Sequence, residues 1–150
     1  MKNVMIFLIF MMITISSFGQ NSAINDNTAL IKEKFPKIHN VIVNEAKAAF
    51  YGDYTSQKEM IDLQCLAFSI YVILMYIDPP EIPKDVLTNI QVNATQNCCK
   101  NCIIDESCLK LVDVFQKADC MLSYMIIDWV KVITEINDQI KAYKAVNKEI

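Results

Sequence analysis

From Cys65 to Ile77 the chain reads Cys-Leu-Ala-Phe-Ser-Ile-Tyr-Val-Ile-Leu-Met-Tyr-Ile, 13 residues of which only Ser69 is not apolar. Ile61, Cys65, Phe68, Val72 and Met75 recur at helical spacing, so the segment is read as a helix. A helix wet on no side belongs at the centre of a fold, and it is too short for a membrane span, which takes about 20 residues. Pro79 and Pro80 end it, because proline removes an amide donor and restricts the residue before it.

Working outward, the flanks are helical too. A short amphipathic piece from about Thr28 to Phe35 stops at Pro36, and a second from about Ile38 to Phe50 ends before Gly52. Ser56-Gln57-Lys58-Glu59 fits a capping box, with the serine bonding the amide three residues on and the glutamate reaching back, and it opens the central helix. Downstream, a short helix is expected from about Pro83 to Val92, then a polar, cysteine-rich loop from Asn93 to Glu106. Two helices follow, about Ser107 to Lys117 with Leu111, Val114 and Phe115 on one face, and about Asp119 to Asn137 with Leu122, Ile126, Trp129, Ile133 and Ile136 as an unbroken stripe. The tail from Asp138 to Ile150 is a lysine-rich amphipathic end whose Ile140, Tyr143 and Val146 can pack loosely or lie over an opening. No segment reads as a strand, a repeat or a domain linker. The expectation is a single all-α domain over residues 20–150, a compact bundle of about six helices around an apolar core or cavity, stapled by disulfides.

Composition agrees. With 53% hydrophobic and 21% charged residues, and only 2 Gly and 4 Pro in 150, the chain is not collagen-like, linker-like or disordered. A chain of this length buries roughly 70% of its unfolded surface, so the 6 cysteines are not needed merely to make a fold exist. Net charge is -3, and every one of the 14 basic residues is Lys. The absence of an Arg/Lys-rich face argues against nucleic acid as a partner.

The chain opens with Lys2, an apolar run from Val4 to Ile15, and then Ser16, Ser17, Phe18 and Gly19. This has the outline of a secretory signal peptide, with Ser17 and Gly19 as the small residues before a cut after Gly19. Its removal takes away one lysine and no acid and leaves the remaining chain at -4. The expected product is a secreted, extracellular protein without stable membrane insertion. In an oxidising compartment Cys65, Cys98, Cys99, Cys102, Cys108 and Cys120 read as disulfide formers; in a cytosolic chain Cys99-x2-Cys102 with its neighbours would suggest a thiolate zinc cluster. No metal or cofactor is expected. Asn93-Ala94-Thr95 is a glycosylation sequon, which supports a surface loop there.

Catalytic chemistry has little to stand on. The sole histidine, His39, has no nucleophile motif near it and reads as a half-exposed helix-start residue. Asp119, Asp128, Glu135 and Asp138 are scattered singly and read as solvated faces and capping groups, and no glycine-rich loop exists to cradle a phosphate. What remains is a small helical body rich in Met, Phe, Tyr and Ile, residues that fill a core or line an adaptable apolar pocket.

The cysteine spacing resembles that of the insect odorant-binding proteins of the pheromone-binding type. Their pattern places about three residues between the second and third cysteines, about forty between third and fourth, roughly ten between fourth and fifth, and about eight between fifth and sixth. With Cys65 as the second, the third falls on Ser69, 38 residues then lead to Cys108 and 11 more to Cys120, and 8 lead to Trp129 where the sixth would stand. Ala118-Asp119-Cys120-Met121-Leu122-Ser123-Tyr124 is similar to the family's fifth-cysteine helix. The first cysteine is missing together with its partner, the third. The resemblance implies six helices around an apolar cavity and a bridge from Cys65 to Cys120; Cys108 would then pair with Cys98, Cys99 or Cys102, an adjacent Cys98 to Cys99 bridge being strained. A second insect family, the chemosensory proteins, is similar at Cys99-x2-Cys102 followed by helices and Trp129, but it implies another cysteine pair upstream, where only Cys65 stands, and no Cys108 or Cys120.

The functional expectation is a carrier that encloses a small hydrophobic ligand, an odorant, pheromone or fatty-acid-like molecule, and performs no chemistry on it. The wall candidates are Phe68, Tyr71, Val72, Met75, Phe115, Met121, Tyr124, Met125 and Trp129. The alternative is a secreted interaction protein, a venom, salivary or seminal component, that binds a receptor or host protein through a helical surface. An enclosed volume of a few hundred Å³ marks the carrier, and a packed interior with an exposed apolar patch marks the interaction protein.

Overall fold

The computed structural model describes residues 21–77, 79, 81–102 and 114–147. The stretch expected to be a signal peptide, the expected helix start near Ser107 and the chain end lie outside them. Among the described residues 82% are helical, in six helices. These are α1 (Asn21–Lys34), α2 (Pro36–Ala49), α3 (Tyr54–Tyr76), α4 (Lys84–Asn97), α5 (Val114–Ser123) and α6 (Trp129–Asn147). The all-helical expectation needs one amendment. Cys99–Cys102 forms a strand, β1, that pairs antiparallel with β2, Met125–Ile127, placing Cys99 opposite Ile127 and Cys102 opposite Met125 with an irregular register between.

The ribbon splits what periodicity reads as one helix from Asp119 to Asn137. Leu122 ends up on α5, Ile126 in β2 and Trp129 at the first turn of α6. Tyr124-Met125-Ile126-Ile127 is rich in β-formers, and Asp128 then caps α6 by accepting from the Lys131 amide at 3.3 Å. The polar loop expected from Asn93 is also shorter, because α4 continues to Asn97. Asn93 itself is exposed, but on a helix.

Pro36 does not merely stop α1. It occupies the first turn of α2, where its missing amide costs nothing, and Ile38, Ile42 and Ala46 follow as the buried stripe. Phe50 to Asp53 turns the corner into α3, with Gly52 at φ +81°, a left-handed conformation that favours glycine. The cap of α3 is Asp53 and not Ser56: its carboxylate accepts from the Ser56 amide at 3.1 Å and the Ser56 hydroxyl at 2.6 Å. Gln57 closes the corner by donating to the Phe50 carbonyl at 2.7 Å.

α3 is the central helix, packed by α1, α2 and α6. By length and composition it could also cross a membrane, yet 39% of its most apolar window is buried inside the fold. Phe68, Cys65 and Ser69 sit in the interior, while Leu63 and Ile73 are nearly half exposed. The expectation that this helix is wet on no side therefore fails on one face.

Two helix starts are satisfied from elsewhere in the chain. At α2 the capping position is Phe35, which has no side-chain acceptor, and Asp119 of α5 supplies one, taking the Ile38 amide at 2.9 Å and the Lys37 amide at 3.3 Å. At α6 the buried Gln64 of α3 donates to the Asp128 carboxylate at 2.9 Å and accepts from the Trp129 amide at 2.7 Å. Both contacts tie a late element to an early one.

Candidate functional site

The place where the carrier reading puts a ligand is occupied by rings. Phe68 meets Phe35 edge-on at 5.0 Å and Trp129 at 4.7 Å, and Tyr71 meets Trp129 at 5.1 Å between centroids. These are ordinary contact distances for aromatic pairs, leaving no room between them for another molecule. Ile31, Ile38, Ile42, Val132 and Ile136 complete the core around the cluster.

The nine wall candidates do not converge on one cavity. Phe68, Tyr71 and Trp129 are buried in the ring cluster, and Val72, on α3, and Met125, in β2, are partly buried against it. Met75, Phe115 and Tyr124 are close to half exposed, and Met121 is half-buried on α5. Phe115 touches Phe35 at 5.8 Å and Tyr76 at 6.1 Å, continuing the aromatic chain to the surface.

A groove of about 60 Å³ lies elsewhere, lined by Val41, Ile42, Glu45, Met60, Gln64, Lys100, Ile126, Ile127 and Asp128. None of the wall candidates lines it, and ligand sites for drug-sized molecules run to roughly 300–1,000 Å³. Its carboxylates are already partnered, Glu45 with Lys100 at 3.7 Å and Asp128 with Lys131 at 3.2 Å. Burial pushes the Asp128 carboxyl up, but the Gln64 and Lys131 hydrogen bonds outweigh it and hold the group below the usual carboxylate range.

The cysteines depart from the implied framework. Cys65 is fully buried and carries a free thiol, so the Cys65 to Cys120 bridge is absent; Cys120 and Cys99 are disulfide-bonded, and Cys98 is free and half-buried. The reason is placement: Cys65 faces the α1 side of α3, where it bonds the Thr28 side chain and neighbours Asp62. Burial pushes its thiol up to about 11, with Asp62 adding to the rise against the Thr28 bond. How the remaining cysteines pair extends outside the described residues.

Among the described residues no group of three or more His, Cys, Asp or Glu side chains is placed to hold a metal ion. His39 sits half-buried in the first turn of α2, its pKa lowered by burial and by Lys32. Among the described residues one buried side-chain polar atom lacks a partner, the side-chain nitrogen of Gln91 on α4. Nearby on the same helix, Thr95 lies within hydrogen-bond reach of both the Gln91 carbonyl, at 2.8 Å, and the Tyr71 hydroxyl, at 3.3 Å.

Among the described residues the most exposed aromatic side chains stand at the α2–α3 corner, where Tyr51 is 96% and Tyr54 81% exposed and Phe50 is partly exposed. The hydrogen bonds of Asp53 and Gln57 fix the backbone that carries them. Sequence reading overlooked this site, although three aromatics bracketing Gly52-Asp53 were a visible signal. Comparison of the chain with family models, with curated proteins and with solved structures finds no match.

Proposed function

We propose that this is a secreted helical interaction protein that works through its exterior and binds another protein without chemistry. The observation that carries the reading is the closed ring cluster of Phe35, Phe68, Tyr71 and Trp129, which fills the space a carrier would keep open. The contact surface proposed is the corner of Phe50, Tyr51 and Tyr54. Tyrosine supplies large area at low entropic cost, and a turn already fixed by its own hydrogen bonds loses little freedom on binding. Disulfides at Cys99 and Cys120 would stabilise such a body in an extracellular setting.

The carrier reading retains one observation in its favour. A buried Gln91 amide nitrogen without a partner is the kind of polar group that orients an otherwise apolar ligand. One titration separates the two. Trp129, 2% exposed and in contact with Phe68 and Tyr71, reports on the interior. Long-chain alcohols and fatty acids are expected to leave its emission unchanged and to displace no apolar reporter dye. Saturable, equimolar binding would restore the carrier. A partner recovered from extracellular fluid by the wild type should be lost with Tyr51→Ala and Tyr54→Ala, and equal recovery by the variants would remove the corner from the mechanism.

A further inference from the structure

Asn93-Ala94-Thr95 is the only Asn-x-Ser/Thr triplet in the chain, and the fold splits it. The triplet lies near the end of α4, where Asn93 is exposed, Ala94 is fully buried and Thr95 is 8% exposed. Residues two apart on a helix do not face the same way, so Asn93 meets solvent while the Thr95 hydroxyl turns inward. That hydroxyl donates to the Gln91 carbonyl at 2.8 Å and lies 3.3 Å from the Tyr71 hydroxyl of α3. No charge occurs from Val86 to Cys99, and the outward side of α4 presents Thr88, Asn89, Val92, Asn93, Gln96 and Asn97. A sugar chain attached at Asn93 therefore extends into solvent over uncharged amides and hydroxyls able to hydrogen-bond it.

We propose that Asn93 carries an N-linked oligosaccharide added to the nascent chain before α4 packs, and that the folded helix is itself closed to the transferase. The co-reactant is an oligosaccharide on a lipid pyrophosphate. The Asn93 side-chain nitrogen forms a bond to C1 of the first sugar, the bond from C1 to the pyrophosphate oxygen breaks with its electron pair leaving on the lipid pyrophosphate, and the amide proton passes to a basic group of the transferase. The enzyme reads the asparagine and the hydroxyl residue two places on together, in one site. Packed α4 denies it that arrangement, because the two groups lie on different sides and the hydroxyl is bonded in the interior. Chain order keeps the site open first. α4 has 14 residues, a length at which an isolated helix is marginal in water, and it packs mainly on α6, which begins at Trp129, well after Thr95 has been synthesised.

The inference rests on the reading that the chain is secreted, and each can fail alone. The full chain expressed in mammalian cells should reach the medium as a species that runs faster on a gel after peptide N-glycosidase F, with Asn93 converted to aspartate in the peptide map. Asn93→Gln and Thr95→Ala should each remove the shift, and Thr95→Ser should keep it. Asn93 is exposed, so Asn93→Gln should be secreted with unchanged helical circular dichroism, which separates loss of the sugar from loss of the fold. Protein in the medium that the glycosidase leaves unshifted would overturn the modification and leave secretion standing. Protein retained in the cytosol would refute secretion, and a chain with a foreign signal peptide in place of residues 1–19 then decides Asn93 by the same shift. The timing has its own test. Folded, oxidised protein made in bacteria and given purified oligosaccharyltransferase with lipid-linked oligosaccharide should gain no sugar, whereas the reduced and alkylated chain should be modified at Asn93. Equal modification of both would overturn the closure by α4, and modification of neither would overturn Asn93 as an acceptor.

Discussion

Replacing Asp119 by alanine is expected to cost the fold about 2–3 kcal/mol, although the residue lies on a helix far from the one it stabilises. The carboxylate takes the second and third amides of α2, the pair a local cap would take, with the Ile38 amide at 2.9 Å and the Lys37 amide at a longer 3.3 Å. A hydrogen bond to a charged group contributes about 1.5–3 kcal/mol, and the longer one contributes less. Alanine also leaves the Ile38 amide unpaired where Asp119 is only 5% exposed and Ile38 only 2%, so water cannot readily replace the lost oxygen. Asp119→Asn keeps an acceptor of the same shape and should lose roughly half as much. Asp53→Ala, the same chemistry at a fully exposed cap where water replaces the lost oxygen, should cost less than Asp119→Ala. Urea unfolding followed by far-ultraviolet circular dichroism ranks the three. The reasoning is refuted if Asp119→Ala falls within about 0.5 kcal/mol of the wild type or costs no more than Asp53→Ala.

Gln64→Leu removes the amide that serves both Asp128 and Trp129, and should destabilise by about 2 kcal/mol in the same urea assay despite adding apolar volume. Gln91→Leu should be neutral or stabilising by up to about 1 kcal/mol, because it removes a buried amide nitrogen without a partner. Cys65 should resist iodoacetamide in the native protein and label only on unfolding, with Cys98 as the thiol modified first; peptide mapping that finds Cys65 bridged would contradict the placement described. The lowered pKa of His39 means the unfolded chain holds its proton more tightly. Its contribution is therefore complete above the usual histidine value near 6.5 and is lost as pH falls through the lower folded value, and His39→Gln should flatten that part of the stability–pH curve.

The helices were legible because their apolar spacing and their breakers agree: Ile38, Ile42 and Ala46 after Pro36, and Phe68 and Tyr71 ahead of Pro79, are local signals. The break at Met125–Ile127 was not, since Ile126, Trp129, Ile133 and Ile136 keep a helical period across it, and only pairing with Cys99–Cys102 reveals the strand. The solvent face of α3 was hidden for a related reason. Composition reports that a helix is apolar all round, but which side meets water depends on how many neighbours the fold supplies. Of the proposed ligand wall, the burial of Phe68, Tyr71 and Trp129 followed from their helix faces; whether they surround a space or each other is a property of packing, which spacing does not encode.

The long-range bonds of Asp119 and Gln64 bear on the order in which the chain can become structured. The start of α2 is completed by a residue 81 positions downstream, and the start of α6 by one 65 positions upstream. As synthesis releases the chain from its N-terminus, α1 to α4 emerge well before either bond can form. Both helix starts therefore gain their caps only after the later half of the chain is in place, so the packing those bonds fix is completed late. A product truncated before Asp119 would lack α6 and leave the Phe68–Tyr71 side of α3 uncovered on an unlatched body, the form most exposed to aggregation and to proteases.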